Sequence, residues 1–151
     1  MRELIKQTLE DRTEHGYLRR KDGTIIRKDW IGDQIDLSEG YQVHGSTALT
    51  FHTHPSVKNI IRDMMSTSDL VNIRDENREV GCIGYSVSGR PFTRCIRSED
   101  IDTDTVRAIS HEIAIVRLDR KGTEERGRQV TALVDYMNKE AKTEEIPLQC
   151  L

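Results

Sequence analysis

The apolar residues of this chain change period near residue 103, and that change limits what the chain can fold into. Before it, two short helical stretches apart, they alternate or run continuously, as in strands; after it they recur every three or four positions, as on the buried stripe of a helix. Val80-Gly81-Cys82-Ile83-Gly84-Tyr85-Ser86-Val87 is the most strand-like run; Ser88-Gly89 turns it, and residues 91–97 read as its hairpin partner. An earlier hairpin is expected over residues 16–28, where Tyr17-Leu18-Arg19 and Thr24-Ile25-Ile26 flank Lys21-Asp22-Gly23. Asp-Gly is among the strongest short-range hairpin signals. Ala48-Leu49-Thr50-Phe51-His52 reads as a further strand, and residues 31–39 as loop with partial strand.

Helices are expected at both ends and in the middle. Leu4, Ile5, Thr8 and Leu9 predict a short one over residues 2–11. Residues 66–77 read as another, with Ser66 or Thr67 as cap, Asp69 in the first turn and Leu70, Val71 and Ile73 as the apolar stripe. Val106, Ile109, Ile113 and Val116 mark a third, and Val130, Leu133, Val134 and Met137 a fourth, with Gly122 and Gly127 loosening the join. The order predicts one α+β domain over residues 1–151. In it a mixed, partly curled β-sheet carries a helix on each side, and extra C-terminal helices follow over residues 103–142.

Composition narrows the class. Leu, Ile, Val and Phe make up about 24% of 151 residues, above the level of roughly 20% at which highly charged chains stay disordered, so a folded core is expected despite 32% charged residues. No apolar run approaches the 18 residues of a membrane span. Met1-Arg2-Glu3-Leu4 brings in an acidic residue at once, so no export signal is expected. A formal charge of −3 argues against a dedicated nucleic-acid binder. Cys82, Cys95 and Cys150 form an odd set without a C-x-x-C pair, which predicts three reduced thiols in a cytoplasmic protein and no catalytic role for any of them.

The chemistry concentrates in Phe51-His52-Thr53-His54-Pro55. Residues i and i+2 of a strand face the same side, so His52 and His54 project their imidazoles together, and Pro55 ends the strand beside a cleft. A catalytic zinc keeps three protein ligands and one open position. Asp69, at the start of the downstream helix where the dipole favours a carboxylate, is the expected third ligand.

His52-Thr53-His54-Pro55 followed by Ser66-Thr67-Ser68-Asp69 resembles the JAMM signature of the JAB/MPN metalloproteases, H-x-H-P and then S-x-x-D with a Glu well upstream. The resemblance spans residues 14–87, about half the chain, within a core motif region of residues 14–97. It implies an MPN/cytidine-deaminase-like three-layer fold and a zinc metallopeptidase or isopeptidase acting on a protein or peptide substrate of the ubiquitin-like class. It further implies that His52, His54 and Asp69 bind Zn2+, that Ser66 helps hold the oxyanion, and that Glu14, before the first strand, handles the proton of the attacking water. Glu10 and Glu39 are weaker substitutes for Glu14. One departure is the spacing: ten residues separate Pro55 from Ser66, where the family has about six. The extra turn, with Ile60, Ile61, Met64 and Met65, either bulges over the site or displaces Ser66 and Asp69, leaving Asp63 as fallback ligand.

The physical case runs in parallel. Zinc on two neutral imidazoles and one carboxylate keeps net positive charge, lowers the pKa of a coordinated water to about 7 and polarises a carbonyl. A nearby carboxylate then serves as general base. The remaining histidines rank lower: His44 as an orienting partner, His15 on the opposite face from Glu14, and His111 on a helix face. Arg19, Arg20, Lys21, Arg27 and Lys28 on the first hairpin read as a solvated face or a docking patch for an acidic partner. Two competing expectations are a non-catalytic MPN-like interaction scaffold and a DNA-repair-associated JAB protein.

Overall fold

In the computed structural model, residues 1–29, 47–55, 63–75, 78–118, 122–140 and 144–147 are described. The elements run α1 (Arg2–Asp11), β1 (His15–Arg20), β2 (Ile25–Asp29), β3 (Thr47–Thr53), α2 (Thr67–Asp75), β4 (Val80–Val87), β5 (Arg90–Arg97), α3 (Thr103–Leu118), α4 (Thr123–Glu140) and β6 (Glu144–Pro147). The strands form one mixed sheet of order β2-β1-β3-β4-β5-β6. Among the described residues only β3 and β4 pair in parallel; α2 connects them, as a parallel neighbour requires a crossover. The fold is α+β, as the change of apolar period implies.

Alternation along β4 assigns its two faces. Cys82 packs with Leu4, Ile5 and Phe51 beneath α1. Ile83 and Tyr85 point the other way, into a larger core with Leu70 and Ile73 of α2, Val106, Ile109 and Ile113 of α3, and Val134 of α4. One helix therefore covers one face and three cover the other. Close approach fixes both layers: a Cβ on Gly84 would lie 2.4 Å from the Phe51 ring, and one on Gly81 would lie 2.1 Å from the Ile73 side chain.

Three expectations need correction. Cys82 and Cys95 are not free thiols; they face each other across β4 and β5 and are joined by a disulfide. Directly opposed positions of an antiparallel pair bring the two Cβ atoms within bonding reach of sulfur, whereas the count and spacing that predict reduced thiols carry no information on register. Gly127 does not loosen the helix join but sits exposed inside α4, where neighbouring turns carry it at modest cost. The strand β6, beside β5, was not foreseen. The expectations for residues 31–39, Glu39, His44 and Cys150 lie outside the described residues.

Candidate metal centre

The centre is assembled from β3 and the start of α2, on the face that α2, α3 and α4 cover. Phe51 and Thr53 of β3 point to the α1 side, where Thr53 is hydrogen-bonded to Thr8. His52 and His54 take the opposite side. His54 follows the last residue of β3 but keeps strand geometry, its N–H donating to Gly84 O at 2.8 Å, and the buried Pro55 then ends the pairing. The Nε2 atoms of His52 and His54 lie 3.0 Å apart, with ring planes inclined at 55°.

Asp69 completes the group from above. Its Oδ1 is 3.2 Å from His52 Nε2 and its Oδ2 is 3.4 Å from His54 Nε2, with 13%, 8% and 15% of the His52, His54 and Asp69 side chains exposed. Ligand atoms bound at about 2.0–2.1 Å on a tetrahedral zinc stand roughly 3.3 Å from one another, so the spacing of these three groups fits that ion. Burial on its own would push the Asp69 carboxyl up. The electrostatic attraction and hydrogen bond of His52, seconded by those of His54, instead hold it well below the usual carboxylate range.

The aspartate is held by its own helix start. Ser66 N–H donates to Asp69 Oδ2 at 2.8 Å, and Asp69 N–H donates to Ser66 Oγ at 3.1 Å. This reciprocal cap satisfies two backbone donors and turns the carboxylate toward the histidines. The same bonds make Ser66 a capping residue, as its position before α2 predicts, while its hydroxyl hydrogen is left to donate elsewhere.

Gly16 of β1 is opposite His52 of β3, and His15 N–H donates to Thr53 Oγ1 at 2.9 Å. Glu14 immediately precedes β1, two positions before Gly16. Glu14 is half-buried and is not one of the three groups whose ligand atoms lie within 4.8 Å of one another. Gly16 allows the approach: a Cβ at this position would stand 2.5 Å from Phe51 O and 3.1 Å from His52 Cβ.

Other candidates fall away. Asp63 is exposed and contributes its carbonyl, not its carboxylate, accepting from Arg94 Nε at 2.7 Å. Glu10 is exposed on α1. His15 faces away from the centre, 2.6 Å from Asp11 Oδ2 and 3.1 Å from Thr13 Oγ1. His111 is exposed on α3. On the basic hairpin, Lys21 lies 3.5 Å from Glu79 and Arg27 donates to Gln7 at 2.6 Å, which fits a solvated face.

Asn138 was missed from sequence. It is buried in α4 and hydrogen-bonds both backbone groups of Met65, the residue before Ser66. The available signal was an amide one helical turn after Val134, on the apolar stripe of α4. Among the described residues no helix is long and apolar enough to cross a membrane. Comparison with known proteins finds no matching family model, no similar curated protein and no similar solved structure.

Proposed function

We propose that this chain is a zinc-dependent peptidase or isopeptidase, with His52 Nε2, His54 Nε2 and the Asp69 carboxylate as the groups that would hold the ion. The observation that carries the reading is the convergence of these three groups at 3.0–3.4 Å on one partly buried spot. A bound zinc would supply Lewis-acid polarisation of the scissile carbonyl and a water acidic enough to attack at neutral pH.

The chain's own groups supply the proton traffic. Glu14, the carboxylate just before β1, which pairs with β3, accepts the proton that the attacking water loses and returns it to the leaving amine. Ser66 Oγ accepts from Asp69 N–H and donates its own hydrogen to the oxyanion. Proton acceptor, metal ligands and oxyanion donor are the parts that amide hydrolysis needs. The resemblance of His52-Thr53-His54-Pro55 and Ser66-Thr67-Ser68-Asp69 to the JAMM signature supports a ubiquitin-like modifier or its C-terminal tail as the substrate class.

The test is metal analysis combined with cleavage of a ubiquitin-like fusion, with and without chelator. About one zinc per chain is expected, with cleavage lost to chelator and restored by zinc. Cleavage indifferent to chelator overturns the metal mechanism. Metal retention without hydrolysis of any peptide or isopeptide bond overturns the enzyme reading in favour of an interaction scaffold.

A further inference from the structure

We propose that Asn138 is a positioning residue for the metal centre, acting from α4 through the backbone of Met65 on the carboxylate of Asp69. The inference rests on the zinc reading above and goes beyond the residues that would touch the ion.

The side-chain amide of Asn138 is 3% exposed, and its hydrogen bonds determine its orientation. Its Nδ2 donates to Met65 O and to Val134 O, both at 2.8 Å, and its Oδ1 accepts Met65 N–H at 2.9 Å. The reverse amide orientation would oppose acceptor to acceptor at both carbonyls. Asn138 therefore pairs with one residue of an irregular segment as a strand neighbour would, from 73 residues away in sequence. The amide sets a donor and an acceptor on two separate atoms, one for each Met65 backbone group; an apolar side chain would leave both groups buried without this partner.

Met65 is where such a clamp has most effect. It is fully buried, it immediately precedes Ser66, and Ser66 N–H is the group that orients Asp69 Oδ2. A second long-range bond, Arg94 Nε to Asp63 O, fixes the segment two residues earlier. The path from α4 to the ligand thus has four members, Asn138, Met65, Ser66 and Asp69, each joined to the next by a peptide bond or a hydrogen bond. Groups that orient metal ligands without touching the ion typically change metal affinity about 10–100-fold when removed.

The test measures zinc affinity of the full chain by competition with a chromophoric chelator, and the visible spectrum with Co2+ in place of zinc. Asn138→Ala is expected to raise the zinc Kd by about tenfold or more and to change the cobalt ligand-field bands, below its own unfolding transition. Val134→Ala is the control: it loosens the same helix in the same core without removing a bond to Met65. It should lower Tm while leaving Kd and the cobalt spectrum as in the wild type. Asn138→Asp keeps an acceptor for Met65 N–H and loses the donor to Met65 O, so it gives the same readout if the alanine variant does not fold. A zinc Kd for the Asn138 variants within twofold of wild type overturns the proposal. So does an equal loss of affinity in Val134→Ala, which would make the effect one of general packing. Failure of the wild type itself to bind zinc overturns the metal reading, and the positioning role with it.

Discussion

Replacing Glu14 by Gln separates holding an ion from using it. The substitution keeps the shape of the side chain but removes its capacity to take a proton, so zinc content should stay at the wild-type level while turnover falls by about 10²–10⁴. Metal analysis and kcat on one preparation check both halves, and unchanged turnover would assign the proton to another group. Asp11 offers a second test, remote from the centre. Burial tends to raise its pKa, but Thr13 N–H at 2.9 Å and His15 Nε2 at 2.6 Å bring it below the usual value. A carboxylate with a depressed folded pKa adds stability that is present above the unfolded value, near 3.9, and is lost as pH falls through the folded one. The Tm advantage of wild type over Asp11→Asn should therefore be small at neutral pH, because Asp11 is 40% exposed, and should shrink in acid thermal scans as pH falls past the unfolded value, to be lost once pH is below the folded one. At this scale the centre was legible: period-two spacing put His52 and His54 on one face, and a helix-start carboxylate supplied the third group. Asn138 was not, because nothing local to it tells which distant backbone it meets.

The disulfide belongs to the scale of elements. It links β4 to β5 at Cys82 and Cys95, 13 residues apart, on the α1 side of the sheet. For a closed loop near this size the chain-entropy contribution is about 3 kcal/mol, and the hairpin that already joins the strands reduces it. Replacing both cysteines by alanine should lower Tm by about 5–10 °C without altering zinc content, since His52 and His54 face the other side. Scanning calorimetry with and without reductant checks this, and a Tm indifferent to reductant would mean that the hairpin alone restrains the unfolded chain. The hairpins themselves were legible from their turns. Gly23, in the longer connection between β1 and β2, has φ 91°, and Ser88 and Gly89 have φ 51° and 78°, the left-handed conformations that a two-residue connection between twisted strands demands. The strand β6 was not legible: Glu144–Pro147 is four residues long and has no alternating pattern, and its Pro147 is tolerated because β6 is the last strand of the sheet order. Cross-strand pairing of the cysteines was equally hidden, because register depends on the turn and not on either strand alone.

For the whole molecule, the candidate centre joins the sheet to the helices that cover one of its faces. Two of its groups belong to the sheet, one to α2, and α2 is secured to α4 through Met65 and Asn138. An ion at this point would cross-link sheet and helices, and the unfolded chain has no equivalent site. Zinc should then stabilise the native state by mass action, about 2.7 kcal/mol when its free concentration is a hundred times Kd. For a chain of 151 residues that corresponds to a rise in Tm of about 5–10 °C. Chelator should remove the whole increment, and His52→Ala should abolish it without a comparable loss in the metal-free protein. The last point is the discriminating one. Without metal, Asp69 sits beside two imidazoles that hold it anionic, so taking away one imidazole removes part of that support as well as a ligand. If His52→Ala lowered the metal-free Tm as much as chelation lowers that of the wild type, the His–Asp pairs would account for the stability by themselves. A Tm that falls only where zinc had raised it assigns the cluster to the ion.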